Sequence, residues 1–223
     1  QEVTYLFLHP ICAQEDALRL VSSDRKVIAG QNADYPLWIY VADGLEEEEI
    51  TKAAKELCAA TLDRKILTVV SHPQMAEAFA VERCKAHKGR YYGTMSLNAY
   101  ECRHFVHPKP AGEYMVKAEQ KDLPLVKKYL SDFMFWAMGA PLDEKSMEPT
   151  AKELIEGGGL YFLYEGDRAV SMGNFNCMAP RHAKINYIYT PEEDRGKGYA
   201  SYLTGCLCEM IFTRGRFPML YAD

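Results

Sequence analysis

The stretch INYIYTPEEDRGKGYASYLTGCLCEMI, residues 185 to 211, changes periodicity part-way, and this change constrains the fold more than any other feature of the chain. Ile185 to Thr190 is rich in β-branched and aromatic residues, the mark of a strand. Pro191 ends it, and Glu192, Glu193 and Asp194 form an exposed turn. Ala200, Leu203, Leu207, Met210 and Ile211 then recur at spacings of three and four, so one face of a helix over 198–212 belongs to a core. Between strand and helix lies Arg195-Gly196-Lys197-Gly198.

Two glycines and two cations at that junction have a physical use. The first amides of a helix lack internal partners and carry partial positive charge. Glycines have no Cβ, so a ligand oxygen can approach the backbone closely. Together they make a seat for a phosphate or pyrophosphate, with Arg195 and Lys197 at its rim and the small Ala200 and Ser201 keeping the first turn open. A turn whose glycines serve only geometry is the alternative. Other phosphate motifs fit less well. Gly196-x-Gly198 supplies two glycines of the dinucleotide fingerprint, but Ser201 stands where the third belongs, and a P-loop G-x-x-x-x-G-K-S/T is absent. Gly157 to Gly159 precede a strand rather than a helix and read as a turn.

HPKPAG, residues 107 to 112, disfavours both helix and central strand. A boundary is expected there, between domains of residues 1–110 and 111–223. In the first, residues 11–22 read as a helix, 37–42 as a strand, LEEEEITKAAKELCAATL as a helix, 65–70 as a strand, 72–87 as a helix and 93–106 as a strand. This αβαβαβ order predicts parallel neighbours through two βαβ steps. Four glutamates, Glu46 to Glu49, sit where the helix dipole favours negative charge. In the second domain, residues 113–119 read as a strand and Asp122 as the cap of a helix from Leu123 to Met138. A helical segment over 143–157, a hairpin about Glu165-Gly166-Asp167, a strand over 183–190, the 198–212 helix and a last strand complete a βααβββαβ order. No internal repeat is legible. The fold class is therefore α/β (α+β), with a mixed sheet flanked by helices in the C-terminal half and a smaller α/β domain before it.

Bulk properties exclude several classes. A net charge of -5 gives no support to nucleic-acid binding. No apolar run approaches the ~20 residues that span a bilayer, and VTYLFL at 3–8 is too short for a signal peptide. Seven cysteines without a C-x-x-C pair read as free thiols of a reducing cytoplasm. Cys206 and Cys208 point to different faces of their helix. His104-x-x-His107 has no third ligand nearby and reads as ordinary polar histidines.

Arg195-Gly196-Lys197-Gly198-Tyr199-Ala200 satisfies Gln/Arg-x-x-Gly-x-Gly/Ala, and with the strand and acidic turn before it and the apolar helix after it the chain resembles the GNAT superfamily of acyl-CoA-dependent N-acyltransferases. The resemblance implies acetyl-CoA as the acyl donor, no metal, and a small-molecule or peptide amine as acceptor. It assigns the pyrophosphate to the turn and helix start, Arg195, Gly196, Lys197, Gly198, Tyr199, Ala200 and Ser201, and the pantetheine arm to the strand Ile188, Tyr189 and Thr190. That strand splays from its neighbour, here MLYAD. A backbone N–H near Ile188 or Tyr189 polarises the thioester and stabilises the oxyanion. It implies no nucleic-acid or membrane partner and leaves a homodimer open.

Two departures limit the mechanism. Some members carry a glutamate base on the strand before the turn, and that position is Lys184 here. Many use a tyrosine acid on a helix after the last strand, and the given sequence stops at Asp223, so that helix and a final hairpin are expected either beyond it or not at all. Tyr187, Tyr189 and Tyr221 are candidate acids better explained by packing, and no catalytic residue is assigned. The layout of the first 110 residues is analogous to the degenerate GNAT-like half of two-domain members such as the glycine N-acyltransferase type. A non-catalytic acyl-CoA-binding regulator or scaffold is the second reading, and an interaction module without cofactor the third.

Overall fold

The computed structural model describes residues 2–33, 35–106, 114–139 and 143–222, without the side chain of Met138. The sequence break at 107–112 and His107 lie outside the described residues. Contacts divide the chain between Asn98 and Ala99, ahead of that break.

The first unit runs α1 (Leu8–Ala13), β1 (Leu18–Val21), β2 (Val27–Gln31), β3 (Leu37–Val41), α2 (Glu47–Ala60), β4 (Val69–Val70) and α3 (Pro73–His87). Its sheet has the order β1-β2-β3-β4, antiparallel except for the parallel β3–β4 pair. Leu37, Ile39 and Val41 alternate inward from β3 and pack with Ile50, Ala54 and Leu57 of α2 and Met75 and Phe79 of α3. The α2 glutamates close the helix start themselves: Glu46 and Glu49 form a reciprocal capping box.

Two expectations are corrected here. Residues 11–22 are not one helix: the helix ends at Ala13 and a β-hairpin begins at Leu18. The reason is turn chemistry. The Asp24 carboxylate accepts from Ser22 Oγ at 2.6 Å and from Lys26 N at 3.0 Å, folding β1 back onto β2. The order is thus αβββαβα, with one βαβ step. The 93–106 strand is only β5 (Asn98–Glu101), and it joins the sheet of the second unit.

The second unit continues with β6 (Tyr114–Lys117), α4 (Leu123–Met138), α5 (Glu148–Gly157), β7 (Leu160–Glu165), β8 (Arg168–Asn176), β9 (His182–Tyr189), α6 (Tyr199–Phe212) and β10 (Phe217–Ala222). From β6 onward this is the βααβββαβ order read from the sequence. The sheet order is β5-β10-β9-β8-β7-β6. Strands β6 to β9 are antiparallel neighbours, and β10 runs parallel to β9. Val126, Tyr129 and Leu130 of α4 and Ala151 of α5 cover one face of the sheet. Leu203, Leu207 and Ile211 of α6, all 0% exposed, cover the other, and each contributes about 1.5–3 kcal/mol by leaving water. Asp122 does not accept from the start of α4. Its carboxylate accepts from Glu119 N at 2.8 Å in the capping box of a short 3-10 turn.

The two units share a layout, although no internal repeat is legible in the sequence. In each, three antiparallel strands are followed by a helix and a fourth strand parallel to the third: β1-β2-β3-α2-β4 in one, β7-β8-β9-α6-β10 in the other.

Candidate functional site

The turn between β9 and α6 is built around a buried carboxylate. Asp194 is 1% exposed. Arg168 of β8 grips both its oxygens, Nη2 donating to Oδ1 at 2.9 Å and Nη1 to Oδ2. Lys197 Nζ donates to Oδ1 at 3.0 Å. The Arg168 bonds, reinforced by Lys197, hold the Asp194 pKa below the usual carboxylate value against the opposing effect of burial. Gly196 (φ +78°) and Gly198 (φ +90°) take left-handed backbone that L side chains rarely adopt, and Gly198 is the N-cap of α6. The α6 ladder begins with Tyr202 N donating to Gly198 O at 2.9 Å, so the amides of residues 199 to 201 stand ahead of it.

The expected site residues divide by what they touch. Gly196, Gly198 and Ser201 present an exposed turn and helix start, and Ala200 and Ser201 also line a cavity of about 420 Å³. Lys197 is drawn to Asp194 rather than standing free at the rim. Arg195 lies over the Trp136 ring at 4.3 Å, with Nε donating to Thr190 O at 3.2 Å. Tyr199 is buried, its hydroxyl donating to Glu165 Oε1 at 2.6 Å, so its side chain serves the core. Thr190 Oγ1 meets Ser171 Oγ at 2.9 Å, and Tyr189 donates from its hydroxyl to Asp132 Oδ2 at 3.2 Å.

Two features of β9 shape what lies below the turn. Between Asn186 and Tyr189, β9 carries one residue more than the facing stretch of β8 from Asn174 to Met172, which is a β-bulge. Tyr187 adopts φ +53° there, an unfavourable angle for an aromatic residue, and its ring packs edge-on against Phe133 at 5.5 Å. Opposite the bulge, a Cβ on Gly173 would stand 2.6 Å from Ile188 Cδ1, so this glycine makes room for Ile188. The second feature is the end of the β9–β10 ladder. It pairs Phe217 with His182, Pro218 with Ala183 and Met219 with Lys184, and stops, although β9 runs on to Tyr189 and β10 to Ala222. The strands part beyond Lys184, and the cavity lies on the α6 side there, against Ile185, Thr204, Met219 and Leu220.

Lys184 stands at the last paired step. Its ammonium lies 5.4 Å from the centre of the Tyr221 ring, and burial pushes its pKa down to about 8. Two tyrosines of the same strand move the other way. Burial, then the Asp132 carboxylate, raises Tyr189 to about 12, and burial, then Glu153, raises Tyr187. A lowered lysine pKa means that the fold disfavours the charged form. The cost is full below about pH 8 and fades as pH rises toward the ordinary lysine value of 10.5. We therefore expect Lys184→Met to be more stable than the parent at pH 7 by about 1–3 kcal/mol, discounted for the side chain's remaining contact with water. Thermal melting at pH 7 and pH 10 checks this, and an advantage that does not shrink at the higher pH would contradict it.

No protein-family model matches the chain, and no curated protein matches its sequence. Solved structures match it in shape. An acetyltransferase of the GNAT family from Colwellia psychrerythraea aligns over 100% of this chain and 80% of its own, at 13% identity and a TM-score of 0.53. A GCN5-related N-acetyltransferase from Kribbella flavida aligns over 98% of this chain and 85% of its own, at 14% identity and a TM-score of 0.59. The fold is that of the GNAT acetyltransferases. In this GNAT fold the Arg195–Ala200 turn joins the strand that leaves the ladder to the helix that covers it.

Sequence reasoning missed the bulge, the Asp194 anchor and Trp136. Asp194 had a legible signal, since it is the one acidic residue of the turn that precedes Arg195 directly and lies three residues before Lys197. The bulge and the Arg195–Trp136 contact depend on tertiary register and left none. No helix among the described residues is long and apolar enough to cross a membrane, and no group of three or more His, Cys, Asp or Glu among them is placed to hold a metal ion.

Proposed function

We propose that the chain is a GNAT N-acyltransferase that moves an acetyl or similar acyl group from acyl-CoA to an amine. The observation that carries this reading is the ladder that opens between β9 and β10 toward a glycine turn at a helix N-terminus. The amides of Gly196 to Ser201 receive the pyrophosphate, with the helix dipole behind them. The pantetheine arm lies along Ile188, Tyr189 and Thr190 in the opening and adds amide hydrogen bonds as an inserted strand does. The bulge supplies the backbone N–H, at Ile188 or Tyr189, that polarises the thioester carbonyl.

The amine nitrogen attacks the carbonyl carbon, the C–S bond breaks, and CoA leaves as a thiol once its sulfur has taken a proton. Proximity supplies much of the rate. The amine must shed a proton, and Lys184, whose pKa lies near 8, is the group at the opening suited to receive it. The acceptor is an amine of a small molecule or peptide.

A second reading, a non-catalytic acyl-CoA binder, is favoured by the tyrosines. Tyr189 and Tyr187 are made weaker acids by their surroundings, which suits them poorly to protonate a leaving thiolate. Thiol release from acetyl-CoA, followed with a panel of primary amines, separates the two. Turnover with any amine removes the binder-only reading. Saturable CoA binding with no release across the panel removes the transferase.

A further inference from the structure

The C-terminal end of α4 carries two large rings in contact with water. Phe135 is 44% exposed and Trp136 54%, and they pack edge to face at 5.7 Å. The core needs neither, because α4 meets it through Val126, Tyr129 and Leu130. Exposed aromatic surface of this kind at the rim of a site marks binding. Trp136 is also tied to the glycine turn. The Arg195 guanidinium lies 4.3 Å above the indole, and its Nε is fixed to Thr190 O at 3.2 Å. Lys197, the other cation of the turn, is bonded to Asp194.

We propose that Trp136 and Arg195 form a purine subsite, on which the adenine ring of the acyl-CoA donor stacks beside the pyrophosphate seat. This rests on the donor reading above. Purines stack on aromatic rings and on arginine planes alike, and the two surfaces are already assembled here. Charge argues against a cationic amine as the occupant, since Arg195 holds the cation position over the ring and would repel it. An adenine, carried by an anionic pyrophosphate, suffers no such repulsion and brings its phosphates to the turn.

The test compares CoA with 4′-phosphopantetheine, which lacks the adenosine, by calorimetry on the parent chain, Trp136→Ala and Trp136→Phe. Trp136→Ala is expected to weaken CoA binding about ten-fold, within the range of base stacking on an aromatic ring. It should leave the affinity for 4′-phosphopantetheine unchanged, and Trp136→Phe should retain most of the CoA affinity. CoA binding unaltered in Trp136→Ala, or both ligands weakened equally, overturns the subsite and leaves the donor reading standing. Failure of the parent chain to bind either ligand removes the donor reading and the subsite together.

Discussion

Gly198→Leu should lose CoA binding by at least about a hundred-fold while the chain remains folded. The expectation follows from what surrounds this glycine. No heavy atom lies within 4 Å of the place a Cβ would take, so the new Cβ meets no protein atom. Its intrinsic cost is the φ of +90°, of the order of 1–2 kcal/mol for an L residue. A leucine there projects into the space ahead of α6, where the pyrophosphate oxygens must reach the amides. Each charge-assisted hydrogen bond lost costs about 1.5–3 kcal/mol, so two suffice for the predicted effect. Gly44→Leu is the matched control, because Gly44 has a φ of +79° and the same open surroundings in the first unit. Both variants should melt slightly early, and only Gly198→Leu should fail to bind CoA in calorimetry. An unchanged affinity in that variant would sink the site.

The largest effect on stability is expected at Gly159. A Cβ there would stand 1.8 Å from Phe175 O and 3.0 Å from Phe175 C, both backbone atoms. The two chains cannot separate cheaply, since Phe175 N donates to Gly159 O at 3.0 Å. Gly159→Ala must therefore push β8 away from the start of β7, at a cost of about 3 kcal/mol or more. That lowers the melting temperature by about 10 °C. Gly157, two residues earlier, has no atom within 4 Å of its Cβ position and lies in α5. Gly157→Ala should be neutral or stabilising by about 0.5–1 kcal/mol. Circular dichroism melts of the two variants decide the matter, and equal melting temperatures would contradict the close approach.

The three glycines at 157–159 show where sequence reading succeeds and where it stops. That they end a helix was legible, because a strand pattern follows them, and Gly158 does take the left-handed angle of a helix terminus. That Gly159 is irreplaceable was not, since its neighbour Phe175 is distant in sequence. The second unit was read well because α4, α6 and the β7–β8 hairpin declare themselves through local periodicity and turn residues. The first was read less well. Leu18-Arg19-Leu20-Val21 is too short to show an alternation that outweighs a helical pattern, and the deciding signal was the Ser22–Lys26 turn. The glycine turn of the candidate site is a contiguous motif and was visible. Lys184 acquires its significance from burial, and Trp136 from its contact with Arg195 across a large gap in sequence, which no spacing encodes.

The recurrence of one crossover in both units has a consequence for counting. Where β9 leads to α6, the turn offers glycines and amides ahead of the helix ladder. Where β3 leads to α2, the equivalent helix start is plugged by its own Glu46–Glu49 capping box, and Lys26 is held by Glu49 at 2.7 Å. An anion arriving there meets carboxylates already in place. A chain with two such crossovers should accordingly titrate with one equivalent of CoA, not two, and the first unit serves as a vacant copy against which the occupancy of the second can be measured.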